Sequence, residues 1–166
     1  MTDLLVKLYE LPGLEPARTI AEKQNYQIRR SITPETSLVV NWIDHHFGIT
    51  WADEARAAFA RQPVSCFVAQ SKTDSKIAGF ACYHSPFLGF FGPTGVEEAS
   101  RGKGLGTALL LHALHALHDE GFAYAVIGQA SSTAFYEKTV GAIAIPNSSP
   151  GPYAHMLRNK PQPPSP

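Results

Sequence analysis

Residues 90–111, FFGPTGVEEASRGKGLGTALLL, constrain the fold of this chain more than any other stretch. The first part, up to Val96, is rich in aromatic and β-branched residues, which favour a strand. A glycine-rich turn, residues 101–106, follows it, and from Leu105 onward the residues are apolar helix formers. The stretch therefore predicts a strand, a tight turn and a helix in direct succession.

The turn has the composition of an anion-binding site. The start of a helix leaves backbone N–H groups without intrahelical partners and carries partial positive charge. Gly102, Gly104 and Gly106 lack a Cβ atom, so a bulky anion can approach the backbone closely. Arg101 and Lys103 add positive charge. A pyrophosphate is the kind of anion that such a turn holds.

The spacing of the glycines excludes two familiar phosphate-binding fingerprints. A dinucleotide site requires Gly-x-Gly-x-x-Gly, and the third glycine is missing whether the pattern starts at Gly102 or at Gly104. A Walker loop requires Ser or Thr after the lysine, and Lys103 is followed by glycine. The pattern Arg101-x-x-Gly104-x-Gly106 after a strand resembles motif A of the GCN5-related N-acetyltransferases (GNAT). On its residues alone, the turn also fits a solvated loop before a core helix.

Motif A binds the pyrophosphate of acetyl-coenzyme A in that family, so the resemblance implies acetyl-CoA as co-substrate. The co-substrate residues that it implies are Thr94, Val96, Arg101, Gly102, Lys103, Gly104, Leu105, Gly106 and Thr107. Pro93 cannot donate to a strand ladder, and a bulge there would splay its strand from a neighbour. The freed strand edge can pair with the amide-bearing pantetheine arm. Valine at Gly104 is expected to block binding and to leave the fold largely intact.

The order of predicted elements resembles the fold of the same family. Apolar and polar periodicity predicts strands at 26–32, 65–70, 76–83, 88–97, 124–128, 142–145 and 153–157, and helices at 14–24, 34–46, 53–61, 105–120 and 131–140. Residues 4–8 fit an edge strand. We therefore predict an α+β fold of three layers, with a mixed, mostly antiparallel sheet flanked by helices. Residues 1–25 form an N-terminal extension, 26–157 the acetyltransferase domain and 158–166 a Pro-rich tail.

A second motif lies on the predicted helix after the strand 124–128. Phe135-Tyr136-Glu137-Lys138 resembles motif B of the GNAT family, although the following glycine comes one residue late and Ala142 replaces a common phenylalanine. The resemblance implies that Tyr136 is the acid that protonates the departing thiolate. From the residues alone, a core tyrosine on an amphipathic helix is the alternative.

The base and the acceptor site are less defined by the sequence. The strand before motif A has no carboxylate in residues 88–92, so Glu97 is the first candidate for the base and His84 the second. A solvated carboxylate at a strand end is the alternative for Glu97. The resemblance places the acceptor beside Phe47 and Trp51, near His84, and against the loop 146–152. Ordinary packing of the two aromatic residues is the alternative there.

Composition narrows the classes of function. Fourteen Lys and Arg residues balance fourteen Asp and Glu residues, so neither nucleic acid nor a membrane is expected as a main partner. The N-terminus is not a secretory signal and the two cysteines fall in predicted strands, which together favour the cytoplasm. Histidines recur at positions 112, 115 and 118, where surface or interface residues are expected rather than a metal site.

Two functions are consistent with these patterns. The first is an N-acetyltransferase that moves the acetyl group of acetyl-CoA to a primary amine of a small molecule or amino acid. The second is a non-catalytic acyl-CoA-binding sensor or regulatory module, which the missing carboxylate at 88–92 keeps open. The expected partner is the amine, and a homodimer is left open.

Overall fold

The computed structural model describes residues 1–157. The strands in this range form one seven-stranded sheet. Its order is β2-β3-β4-β5-β6-β1-β7, and every neighbouring pair is antiparallel except β5 and β6. The strands are β1 (Thr2–Lys7), β2 (Tyr26–Arg30), β3 (Cys66–Ser71), β4 (Ile77–Tyr83), β5 (Phe90–Val96), β6 (Tyr124–Ala130) and β7 (Ile143–Ala144). The predicted α+β class and mixed, mostly antiparallel sheet are confirmed.

The parallel strands β5 and β6 pair over a short distance and then separate. Their register joins only Phe90 to Val126 and Phe91 to Ile127. On the other side of β5, the register with β4 shifts between Ala81 and Tyr83, so β5 carries an extra residue beside Pro93. Since proline has no N–H for the ladder, the strand bulges there. The predicted splay is confirmed, and it opens a gap at the carboxyl ends of the two strands.

Helices cover both faces of the sheet and bury two separate cores. The helices are α1 (Leu14–Lys23), α2 (Thr36–Phe47), α3 (Ile49–Phe59), α4 (Leu105–Asp119) and α5 (Thr133–Val140). One core is formed by α1 and α4 against the sheet, with Phe135 and Tyr136 of α5 packed at its border. The other is formed by α2 and α3 against β3 and β4. Such three-layer packing lets the sheet bury apolar side chains on both faces.

Two predicted strands differ from the structure. The segment predicted as an edge strand is β1, which lies in the sheet interior between β6 and β7. Residues 153–157 were predicted to form a strand, but Gly151–Tyr153 is a short 3₁₀ helix followed by a turn. Pro152 lies in the first turn of this 3₁₀ helix, where the fixed φ of proline suits a helical turn, and that turn includes Tyr153. The predicted tail, residues 158–166, lies outside the described residues.

No helix within residues 1–157 is long and apolar enough to cross a membrane.

Candidate active site

The glycine-rich turn forms a cradle at the start of α4. Gly102 and Gly104 adopt positive φ values of 77° and 79°, which residues with a Cβ rarely adopt. Gly104 is the N-cap of α4, so the first free N–H groups of the helix follow it directly. The cradle cavity measures about 300 Å³. Its lining residues are Val96, Ser100, Arg101, Gly102, Gly104, Leu105, Gly106, Thr107 and Phe135.

Seven of the nine predicted co-substrate residues therefore meet at one cavity. Lys103 lies beside it, where its Nζ donates to the Tyr26 hydroxyl at 3.2 Å. The Tyr26 hydroxyl is also 3.2 Å from the Ser100 hydroxyl. These contacts hold the Lys103 ammonium next to the turn. The hydrogen bond with Ser100 and, to a smaller extent, the one from Lys103 lower the pKa of Tyr26.

Valine at Gly104 would disturb the fold, contrary to the expectation from sequence. A Cβ atom there would lie 2.8 Å from Cγ2 of Ile20 on α1, in a backbone conformation unsuited to side chains. At Gly106, by contrast, a Cβ atom would have no neighbour closer than 4.0 Å. Gly106 is therefore the position at which a side chain enters the cradle cavity with the least disturbance.

An unpaired strand edge leads from the cradle to the gap between β5 and β6. The Glu97 N–H donates to the Ala78 carbonyl at 3.0 Å, and Val96 and Thr94 lie opposite Gly79 and Ala81. Since backbone groups alternate in direction along an antiparallel strand, those of Thr94 and Val96 face away from β4. The Val96 carbonyl accepts a hydrogen bond from Nε of Arg101 at 3.3 Å, while the Thr94 groups face the gap, where an extended ligand such as the pantetheine arm could pair with them.

The gap itself is a cavity of about 390 Å³, here called the splay cavity. Thr94, Pro93 and Gly92 of β5 form one wall, and residues 127–130 of β6 form the facing wall. Trp51 of α3 and Tyr136 of α5 approach from the two sides of the sheet and also line it. The structure thus brings Thr94, Trp51 and Tyr136 together, although they are far apart in the sequence.

Tyr136 presents its hydroxyl to an apolar surrounding. Its ring packs edge-to-face against Phe91 and Phe135, with centroids 6.3 and 5.0 Å away. Burial raises the pKa of Tyr136, so the hydroxyl keeps its proton at neutral pH. A protonated hydroxyl at the wall of a cavity is suited to donate a proton to an anion that forms there.

Glu54 and Tyr153 also line the splay cavity and were not found from the sequence. Burial raises the pKa of the Glu54 carboxyl. The pKa of Tyr153 is raised to about 12, first by burial and then by the charges of Glu54 and Asp3. Glu54 follows Trp51 by three residues on α3, and this helical spacing was the signal that could have revealed it.

Phe47 supports the site without lining the cavity. Its ring stacks on Trp51 with centroids 5.4 Å apart and covers the backbone of Gly95. A Cβ atom at Gly95 would lie 2.5 Å from the Phe47 ring, so glycine is required for this close contact. Phe47 thereby fixes Trp51 against β5.

The structure does not bring Glu97 and His84 to the splay cavity. Glu97 accepts a hydrogen bond from the Ser100 hydroxyl at 2.8 Å and lies 3.9 Å from Nε2 of His46. It lines a separate cavity of about 510 Å³ that shares no residue with the splay cavity. His84 is fully buried, and its ring bonds to Glu120 at 3.0 Å and to the Gly89 N–H at 2.8 Å. Its role is therefore to join β4 to the end of α4.

Among residues 1–157 no group of three His, Cys, Asp or Glu side chains is placed to hold a metal ion. His112 and His115 instead lie 2.7 and 2.9 Å from the backbone carbonyls of Ala108 and Pro12.

The buried histidines predict a loss of stability in acid. Burial lowers the pKa of both His84 and His112 from the usual 6.5. Below that pH the unfolded chain takes up protons that the folded chain resists. Stability is therefore fully present above about pH 6.5 and falls as the pH drops toward the folded-state pKa values. We expect Tm, measured from about pH 7.5 to about pH 5, to fall less steeply in a His84→Asn, His112→Gln double variant.

Asparagine suits position 84 because it tolerates the positive φ of 59° there. His118→Asn, at a half-exposed position, is the matched control and should keep the wild-type slope. Equal slopes for the double variant and the wild type would contradict this assignment.

A profile of the acetyltransferase (GNAT) family matches residues 25–142. The chain belongs to the GNAT family. Membership supports acyl transfer as its general chemistry, and the match includes both the cradle and Tyr136. The comparison with curated proteins found no match.

Solved GNAT structures share this fold. The glucosamine N-acetyltransferase region of a fungal multi-domain GH3 β-N-acetylglucosaminidase has a TM-score of 0.73 at 17% identity, over 87% of this chain and 19% of that one. A GCN5-related N-acetyltransferase from Sphaerobacter thermophilus has a TM-score of 0.64 at 15% identity, over 87% and 48%. This GNAT chain thus spans less than half the length of either protein.

One similar structure contains the co-substrate. A GNAT acetyltransferase from Brucella melitensis, in complex with acetyl-CoA, has a TM-score of 0.52 at 18% identity, over 66% of this chain and 80% of that one. At such identities the likeness establishes the fold alone. Acyl-CoA use is therefore supported at the level of the family.

Proposed function

We propose that this GNAT chain transfers the acetyl group of acetyl-CoA to a primary amine of a small molecule. The observation that carries the proposal is the splay cavity, where Glu54 and Tyr136 line one space at the far end of β5 from the cradle. The cradle would hold the pyrophosphate through the first N–H groups of α4. The backbone groups of Thr94, which face away from β4, would pair with the pantetheine arm and guide it into the gap.

Glu54 is our candidate for the base, in place of Glu97. An amine arrives in water mostly as its ammonium ion and must lose a proton before it can attack a carbonyl. A carboxylate attracts the ammonium ion, and burial has raised the pKa of Glu54 toward the working pH, which makes it a better proton acceptor. Tyr136 would then donate its proton to the thiolate that leaves when the carbon–sulfur bond breaks.

The two residues thus balance the protons of one transfer. The ammonium ion releases a first proton to solvent, directly or through Glu54. Glu54 then receives a second proton from the attacking nitrogen as the amide bond forms and the carbon–sulfur bond breaks, and coenzyme A departs as a thiol with the proton of Tyr136. The phenolate that remains regains a proton from solvent or from the protonated Glu54. No other reactant is required.

A binding module that holds acyl-CoA without turnover is the alternative function. β5 has no carboxylate. If Glu54 does not act as the base, this absence favours the binding module over an enzyme. Release of free thiol from acetyl-CoA only when an amine is present would exclude it.

The exchange Glu54→Gln tests the proposed base directly. Since general-base steps contribute typically 10²–10⁴-fold, we expect kcat to fall by about that factor. Glutamine keeps the shape of the side chain, so calorimetry should give an unchanged affinity for acetyl-CoA. In wild-type protein, protonation of Glu54 should lower kcat/KM as the pH falls. The variant should lack this fall when kcat/KM is measured across pH.

Glu97→Gln is the matched control, because it makes the same chemical change in the separate cavity. It should lower kcat by less than about tenfold. If Glu97→Gln abolishes turnover and Glu54→Gln spares it, the base is Glu97 and our assignment is wrong.

A further inference from the structure

A larger space, here called the outer pocket, adjoins the splay cavity. The outer pocket measures about 700 Å³. Five residues line both spaces, and they are Thr50, Glu54, Pro86, Tyr153 and Met156. Glu54 therefore lies at the boundary between the outer pocket and the cavity that Tyr136 lines.

The walls of the outer pocket are largely apolar. Ile49 on α3 and Phe87 in the loop before β5 line it, and their exposed fractions are 52% and 42%. Phe87 packs against the Tyr153 ring with centroids 5.9 Å apart, so the two form one aromatic wall. Apolar surface that stays accessible inside a concave pocket is suited to bury an apolar ligand.

The charge of the two connected spaces is negative. Glu54 and Asp53 are the charged side chains of the outer pocket, and Asp53 is paired with Arg56 on the same helix. Within residues 1–157, no Lys, Arg or His lines either space. Glu54 is thus left to receive a cation at the junction of the two spaces.

We propose that the acceptor is an ammonium-bearing molecule with an apolar body about the size of one aromatic ring. This inference rests on the proposed function and specifies its acceptor. The ammonium group contacts Glu54, and the apolar body fills the outer pocket between Ile49 and Phe87. A free amino acid is disfavoured, because its carboxylate would lie near the Glu54 carboxylate, and no Lys, Arg or His among residues 1–157 lines either space to pair with it.

Calorimetry with three amines tests the inference independently of turnover. The amines are 2-phenylethylamine, ethylamine and phenylalanine, which differ by the ring and by an added carboxylate. We expect 2-phenylethylamine to bind about tenfold or more tightly than either of the others. Where turnover is measurable, kcat/KM should follow the same order.

Phe87→Ala and Ile49→Ala each remove an apolar side chain that lines the outer pocket. Each should reduce the preference for 2-phenylethylamine over ethylamine by about tenfold. Leu88→Ala is the matched control, since Leu88 neighbours Phe87 but is 67% exposed and lines neither space. It should leave the preference unchanged.

The outcomes separate this inference from the proposed function. Equal affinity for the ring-bearing and short amines, or a preference that survives both wall variants, would overturn the inference while leaving acetyl transfer intact. Selective binding of 2-phenylethylamine that the wall variants remove would support it, even if acetyl-CoA released no thiol. Tighter binding of phenylalanine than of 2-phenylethylamine would also overturn it.

Discussion

Replacing Gly106 by valine is expected to weaken acetyl-CoA binding by at least about 100-fold, because the new side chain occupies the cradle cavity. Each charge-assisted hydrogen bond to a phosphate is worth about 1.5–3 kcal/mol. Loss of two such bonds from the N–H groups of α4 accounts for that factor. The fold should remain, since a Cβ atom at Gly106 has no neighbour closer than 4.0 Å. Valine in a helix also differs from glycine by less than about 1 kcal/mol.

The matched control for this exchange is Gly13→Val. Gly13 precedes α1, a Cβ atom there meets nothing within 4 Å, and it lies outside the cradle. Both variants should melt within a few degrees of the wild type, and only Gly106→Val should lose affinity in calorimetry. Unchanged affinity in a folded Gly106→Val protein would show that the cradle is not the pyrophosphate site.

The exchange Tyr136→Phe is expected to lower kcat by about 10²–10⁴-fold while acetyl-CoA still binds. Phenylalanine keeps the ring that packs on Phe91 and Phe135 and removes only the acidic hydroxyl. In water, proton transfer from a tyrosine to a thiolate is uphill by only about 2 kcal/mol. Burial raises the pKa of Tyr136, but the same cavity disfavours the thiolate as well, so the difference stays small.

A structural role for Tyr136 gives a different pattern. If its hydroxyl only stabilised the fold, the variant would lose about 1 kcal/mol of stability and keep its turnover. Tyr153→Phe is the control, because Tyr153 lines the same cavity and its pKa is also raised. A fall in kcat of less than tenfold for Tyr136→Phe, with a large fall for Tyr153→Phe, would transfer the acid role to Tyr153.

The cradle could be predicted from the sequence because it is local. Arg101, Gly104 and Gly106 lie within six consecutive residues, and the strand and helix on either side follow from composition. The bulge was predictable for the same reason, since Pro93 alone removes a ladder donor. The seven predicted residues among those that line the cradle cavity needed no knowledge of distant parts of the chain.

The remainder of the site depends on contacts between distant segments. Glu54 reaches the splay cavity only because α3 packs across the sheet from α5, and its three-residue spacing from Trp51 is the one local sign that it shares a helix face with the acceptor candidate. Glu97 is the first carboxylate after residues 88–92, which makes it the candidate from the sequence, yet its side chain lies 3.9 Å from Nε2 of His46 on α2. The sequence predicts a strand that begins at Tyr153, whereas in the structure Tyr153 ends a 3₁₀ helix.

The central claim is that this GNAT chain transfers acetyl groups to an amine by means of Glu54 and Tyr136. Its most direct test is a single incubation of the protein with acetyl-CoA and 2-phenylethylamine or ethylamine, in which free thiol and N-acetylated amine are measured together by mass spectrometry. We expect equal amounts of thiol and amide, and loss of both in the Glu54→Gln, Tyr136→Phe double variant. Acetyl-CoA that binds in the cradle but releases no thiol with either amine would contradict the claim and favour a module that only holds the coenzyme.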